Sequence, residues 1–405
     1  MPTRVLVVAD SDSYVKWGAA LAETMPEDWH RELVVLDSDR APSDRQVGHA
    51  VESTRFASAR VRRVDAATLR RGLRDIDVLL LAVRAHAVPG IVDWLRAMPR
   101  RPVVVTGPAG VALPVQWYDV NLRRGADLFI AHSRTECTEL AALAAQRGAP
   151  LSPALATLPF LERVRQPATS GGRPDRTIGP LVFAPQALIP ALDTDRSRLL
   201  GRLGDAARAM PERTVIIKVR AGAGERETHR GASSYASLAE GLDLPGNMVF
   251  AEGPMAVYLR DASGLVTVSS SAALESAAAG VPAVVLTDFG LDDATMTSVF
   301  SGSGLLGTLD DVVAGRFGRL DPIWAVANYF HDPAEDTWLA QLEALVEDHD
   351  LPVPAAVPKT WGNRVRGLYY RHDALRPWRR TPLAPLERLM LWAAHRLNRR
   401  VLHLT

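Results

Sequence analysis

The sequence predicts an α/β protein of two doubly wound, parallel-sheet domains followed by a basic helical tail. Three observations lead there. Short, β-branched apolar runs recur and each ends in a polar loop, stretches of helical periodicity separate them, and the composition breaks once near the middle of the chain. The 405 residues exceed one ordinary hydrophobic core and suit two domains of typical size. With 47% hydrophobic and 23% charged residues, the chain has the balance of a soluble globular protein.

The first run, RVLVVA (4–9), reads as a buried parallel strand closed by the polar loop ADSDS. A helical pattern, YVKWGAALAETM, follows it. Further strands are expected at 31–36 (RELVVL), 77–83 (DVLLLAV), 102–107 (PVVVTG) and 127–132 (DLFIAH). Residues 165–178, RQPATSGGRPDRTI, are rich in Pro, Gly, Ser and charge and read as a linker. A second series begins at 180–186 (PLVFAPQ) and continues at 213–220, 247–253, 264–270 and 282–290, with helices between at 195–210, 233–241, 255–262 and 271–279. The expected domains are therefore 1–168 and 178–345, with a tail at 346–405. In open parallel sheets ligands sit beyond the carboxyl ends of the strands, so the informative residues are those just after each run.

Composition excludes several classes. A net charge of +1 provides no global field for nucleic acid. The single Cys137 excludes an intramolecular disulfide and a cysteine-based zinc cluster. The N-terminal apolar run is too short for a signal peptide, and no stretch reaches the length of a transmembrane helix, so the cytoplasm is the expected location. No metal-ligand motif is found: Asp292-Asp293 and Asp310-Asp311 read as turn and helix-cap residues. Among 47 basic residues only Lys16, Lys218 and Lys359 are lysines.

The segment carrying the most chemistry is GLVTVSSSAALESAAAGVPAVVLTDFG (264–290). An apolar strand ends in Ser269, Ser270 and Ser271, and a small-residue helix follows until Gly280 and Pro282 stop it. One serine would suffice as an N-cap. Three leave surplus hydroxyls beside the free N–H groups of a helix start, which is a site for phosphate or diphosphate. Upstream, IIKVRAGAGERETHRG places Lys218 and Arg220 on one face at a strand end beside a Gly-rich loop, suited to a phosphate or carboxylate, or simply to solvent. AGAGE matches neither a P-loop nor a dinucleotide fingerprint.

The run SSSAALESAAAGVP resembles the donor-binding loop of GT-B glycosyltransferases, in which a serine pair precedes a small-residue helix and a G-x-P stop. It is most similar to the bacterial capsule, sialic-acid and Kdo transferases that use CMP-activated sugars, and also resembles a glycosyltransferase-like family of high-GC bacteria. In the named transferases a strand-end motif with His-Pro reaches the nucleotide phosphate. Here Lys218 matches, Val219-Arg220 replaces His-Pro, and the nearest histidine is His229. The resemblance implies that Glu275 holds donor hydroxyls. Gln186, after the first strand of this domain, and Glu252, after another, are candidates for the base and ribose.

Metal-independent sugar transfer needs leaving-group stabilisation and, for inversion, a base on the acceptor hydroxyl. The first domain offers Asp12 on the loop after the first strand, then His86 and Asp119. Trp117 and Tyr118 could stack on an acceptor sugar. From Lys359 onward eleven basic residues face two acidic ones, and LERLMLWAAHRLNRRVLHL is a basic amphipathic helix, suited to an anionic membrane surface or to packing back on the first domain. The expected protein is a glycosyltransferase, peripheral at the inner membrane face. It would take a nucleotide-sugar donor, with CMP-sugars favoured, and act on a cell-surface polysaccharide or glycolipid without a further cofactor. Nucleotide-sugar 2-epimerase, CDP-polyol phosphotransferase and non-catalytic sugar-nucleotide binding are the alternatives.

Overall fold

The computed structural model describes residues 2–38, 41–58, 61–162, 179–186, 189–219, 234–293, 295–348 and 351–358. The expected linker at 165–178 and the tail from Lys359 lie outside these residues. The chain divides into two compact units. One runs to Ala156 and resumes at Pro333; the other is Thr157–Asp332.

The first unit is built on seven parallel strands: β1 (Arg4–Ala9), β2 (His30–Leu36), β3 (Arg62–Val64), β4 (Val78–Ala82), β5 (Val103–Thr106), β6 (Leu128–Ala131) and β7 (Pro153–Leu155). Their order is β3-β2-β1-β4-β5-β6-β7, so the winding reverses between β1 and β4. Alternation along each strand feeds two cores. Val5, Val7 and Ala9 pack with Trp17 and Leu21 on one face, whereas Leu6 and Val8 pack with Leu69, Ile91 and Leu95 on the other. Both faces are covered, and this is why the strands read as continuous apolar runs. The helix Trp338–Glu347, beyond the second unit in sequence, returns to the first and buries Trp338 and Leu342 in its core.

The helix Asp12–Glu23 lies very close to this sheet. A Cβ on Gly18 would stand 2.7 Å from the Ala82 Cβ and 2.8 Å from Val7 Cγ1, so only glycine fits that contact.

The second unit contains β8 (Leu181–Ala184), β9 (Val215–Lys218), β10 (Met248–Ala251), β11 (Gly264–Thr267), β12 (Ala283–Leu286) and β13 (Leu306–Gly307), all parallel. Their order, β10-β9-β8-β11-β12-β13, repeats the winding of the first unit, with the reversal between β8 and β11. The ten expected strands all form, shortened by a residue or more in most cases. Three more form that the sequence did not signal: β3, β7 and β13. Each lies at a sheet edge, where a strand needs no two-sided apolar run. β3 carries two exposed arginines, β7 begins with proline, and β13 has two residues.

Candidate functional site

Register places the candidate residues of the second unit along one edge. Thr267 pairs with Ala184, Ala251 pairs with Lys218, and Phe183 pairs with Ile217, so the four strand ends form one row. Gln186, Ser269, Lys218 and Glu252 lie in or just beyond that row, at the carboxyl edge. β8 and β11, the strands flanking the reversal, are joined there by side chains. The Ser269 hydroxyl donates to Gln186 Oε1 at 2.7 Å, and Gln186 Nε2 donates to the Ser269 carbonyl at 3.0 Å. Beneath them the buried Thr267 hydroxyl donates to the Ala184 carbonyl at 2.8 Å and accepts from the Ser270 N–H at 3.3 Å. This backing fixes the loop before any ligand arrives.

The three serines have separate duties. Ser269 is tied to Gln186. Ser270, buried, caps the helix Ala272–Ala278: its hydroxyl accepts from the Ala272 N–H at 3.2 Å and its carbonyl from the Ala273 N–H. Ser271 occupies the formal N-cap position with helical backbone angles, and its side chain makes no capping bond. Among the described residues, the Ser271 hydroxyl has no hydrogen-bond partner, and it stands half-exposed at the edge. Glu275, in the same helix, is buried. Lys218 is half-buried at the end of β9, and Glu252 follows β10, its carbonyl accepting from the Tyr258 hydroxyl. Arg220 and His229 lie outside the described residues. Asp292 and Asp311 serve local structure: Asp292 accepts from Thr295, and Asp311 completes a capping box with Thr308.

The first unit has its own polar knot at its reversal point. Asp10, just beyond β1, is completely buried and binds Arg84, just beyond β4: Arg84 Nε lies 2.8 Å from its carboxylate and the Arg84 N–H 3.3 Å away. Beside it is Arg123, which its surroundings in NLRRG gave no reason to single out. It is 1% exposed. Its guanidinium donates to the Thr106 hydroxyl, to the Val83 carbonyl at 3.2 Å and to the Tyr14 hydroxyl at 2.8 Å. Asp119 Oδ2 lies 3.7 Å from Arg123 Nε, one helical turn away. Burial holds the Tyr14 phenol above its ordinary range, and Asp119 and Asp10 push the same way against Arg123. Burial pulls Arg123 down, but Tyr14, Asp119 and Asp10 more than offset it, so this guanidinium holds its proton more firmly than usual.

Asp12 is the first residue of the helix Asp12–Glu23, not a loop residue: the helix begins two positions before its apolar pattern, and an acidic side chain suits the positive end. His86 lies in the 3-10 turn Ala85–Ala87, with Nε2 buried. Trp117 and Tyr118 open the helix Trp117–Arg123. The indole of Trp117 packs with Val120 and Phe129, and Arg147 lies 5.4 Å over its ring. His132 proves structural: Trp17 Nε1–H donates to its Nε2 at 2.7 Å, so the ring proton is on Nδ1, facing the Ala156 carbonyl at 2.9 Å. Among the described residues no cluster of three or more His, Cys, Asp or Glu could hold a metal ion, and no helix is long and apolar enough to cross a membrane.

A family description matches residues 5–345, which spans both sheets. The chain belongs to that family, "Putative glycosyltransferase (DUF6716)". No protein of curated function matches the sequence. Among solved structures, a putative UDP-N-acetylglucosamine 2-epimerase from Listeria monocytogenes superposes with a TM-score of 0.58 at 13% identity, covering 88% of this chain and all of that one. The S. aureus MnaA–UDP co-structure gives a TM-score of 0.54 at 8% identity, with 85% and 95% of the two chains covered. At these identities the likeness is one of fold. The chain therefore has a GT-B-like architecture of two parallel α/β sheets.

Proposed function

We propose that the protein transfers a sugar from a nucleotide donor to a glycan or glycolipid acceptor, holding the donor phosphate at the carboxyl edge of the second sheet. One observation carries the reading: at the point where that sheet reverses, a rigidly backed loop presents Ser271, whose hydroxyl has no partner among the described residues. The reversal point of an open parallel sheet is where such folds bind ligands. The helix that follows has only seven residues, so hydroxyl and backbone donors, more than a long-helix dipole, carry the phosphate. Lys218 supplies positive charge for the departing phosphate, and Gln186, Glu252 and Glu275 are the candidates for contacts to ribose, base and sugar. CMP-sugars are the favoured donors by the loop resemblance, and UDP joins them because a structure of the same fold contains it.

Titration of the full chain with CMP, UDP and GDP is the first test. At least one is expected to bind, with the matching nucleotide sugar releasing nucleotide when acceptor is added. If none binds below about 1 mM, at the weak end of ordinary ligand affinities, the reading fails. The 2-epimerase likeness gives a second reading. It predicts that donor incubated in deuterated solvent without acceptor gains deuterium in the sugar, whereas a transferase leaves the sugar unlabelled.

A further inference from the structure

We infer that the protein docks on an anionic lipid bilayer through the amino edge of its first sheet, where the basic tail is rooted. The transferase reading is not needed for this, and neither stands or falls with the other.

Charge is divided unevenly along the chain. Of its 47 basic and 46 acidic residues, eleven and two lie beyond Pro358. The tail therefore carries nine excess positive charges, and the rest of the chain eight excess negative ones. Trp361, Tyr369, Tyr370, Trp378 and Trp392 also fall in the tail. Arginines interspersed with amphipathic aromatic rings match the chemistry of an anionic headgroup layer.

The tail lies outside the described residues, but its root does not. Residues 351–358 cross the amino edge of the first sheet, beside the starts of β5 and β6. The Arg101 side chain is only 5% exposed; it grips the Asp127 carboxylate at 2.6 and 2.7 Å and donates to the Pro352 carbonyl at 2.6 Å. Arg96 donates to the Pro354 carbonyl. A Cβ on Gly125 would stand 2.7 Å from the Ala355 carbonyl oxygen, so this strap lies directly against the backbone of the first unit. The tail is thus rooted at the end of the sheet opposite to Asp10 and Arg84.

This edge is a better match for lipid than for the tail itself. Val353 stands 66% exposed on the strap. It borders a cleft of about 280 Å³ that Leu95, Met98 and Leu345 line together with Arg96 and Arg100. Asp77 and Asp127 are already paired with Arg100 and Arg101, and Asp348 also borders the cleft. A basic tail folded back here would meet arginines, at a cost in like-charge repulsion. An anionic headgroup meets the same arginines favourably, and the apolar side chains beside them accept the start of an acyl chain.

The test uses the full chain and vesicles of equimolar phosphatidylglycerol and phosphatidylcholine, with pure phosphatidylcholine vesicles as the neutral control. Co-sedimentation is expected with the anionic vesicles and not with the neutral ones. Raising salt from about 0.1 M to 1 M cuts the screening length from about 10 Å to 3 Å and should release the protein. Each arginine near an anionic surface is worth about fivefold in binding, so Arg396→Glu with Arg399→Glu and Arg400→Glu should weaken it about a hundredfold or more. Val353→Asp should weaken it about tenfold, the worth of one valine side chain leaving water, with the melting temperature unchanged. A fluorophore on Val353→Cys is expected to be quenched by nitroxide-labelled lipid. One on Gln116→Cys, exposed in the loop beyond β5 at the opposite edge, is not. Native Cys137, its thiol pushed up to about 11, leaves the engineered thiols to react first. Equal binding to both kinds of vesicle overturns the proposal, as does binding indifferent to the tail reversals. Quenching at Gln116 in place of Val353 overturns the assigned edge. If the parent binds no vesicle and the tail reversals lower its melting temperature, the tail packs on the protein itself and the proposal fails. Should Val353→Asp not fold, the Val353→Cys label still decides. Nucleotide titration of the same chain judges the transferase reading separately.

Discussion

Replacing the three serines one at a time separates fold from function at the donor loop. Ser270→Ala removes the hydroxyl that caps Ala272, a loss of about 1 kcal/mol. In a unit of this size that lowers the melting temperature by about 2–4 °C. Ser271→Ala removes a hydroxyl with no partner among the described residues, so stability should stay within about 0.5 kcal/mol. The same change deletes a donor to a charged phosphate, worth about 1.5–3 kcal/mol, or roughly ten- to a hundredfold in nucleotide affinity. Ser269→Ala falls between: it loses the 2.7 Å bond to Gln186, about 0.5–1.5 kcal/mol, and loosens the loop. Calorimetric unfolding and nucleotide titration of the three variants give the two scales. The order expected for affinity loss is Ser271, then Ser269, then Ser270; for stability loss Ser271 comes last. A Ser271→Ala protein that binds nucleotide within twofold of the parent would refute the assignment of that hydroxyl to phosphate.

Further outcomes follow from packing and charge. Gly18→Ala should destabilise by about 1–3 kcal/mol because its Cβ collides with Ala82 and Val7, whereas Gly48→Ala, with open space around it in the helix Asp44–Val51, should stabilise by up to about 1 kcal/mol; paired thermal melts decide. Trp17→Phe should cost about 1–3 kcal/mol from the orphaned His132 Nε2 alone, measured by urea unfolding. Burial, with Glu136 adding to it, pushes the Cys137 thiol up to about 11 from its ordinary 9.0. At pH 8 its thiolate fraction should be about a hundredfold below that of an open cysteine, so alkylation should be slow in the folded chain and fast in urea. The folded state holds this proton more tightly than the unfolded one, so its contribution to stability should fall as pH rises above about 9.

The apolar runs located every central strand, because a strand covered on both faces must be apolar throughout. The edge strands β3, β7 and β13 were silent for the complementary reason. The serine loop was legible as a site, since three hydroxyls exceed what one cap needs. Which serine was surplus was not legible. That depended on Gln186, 83 residues away in sequence, claiming Ser269, and on Thr267 bracing the backbone so that Ser270 became the cap. Arg123 read as one more basic residue in an arginine-rich chain, and no local pattern marks a charge for burial.

The sequence by itself determined the two windings and the positions where polar residues follow strands. Strand alternation and helix stops are local, and the chain carries them within a few residues. Only the tertiary structure decided which of those polar residues are spent. Strand order brings Asp10 to Arg84 and Gln186 to Ser269, closing both reversal points with internal bonds. Among the described residues it leaves Ser271 and Asp119 with unused hydrogen-bonding capacity. Pairing between distant strand ends is a property of the sheet, and this is why it could not be read from any stretch of the chain alone.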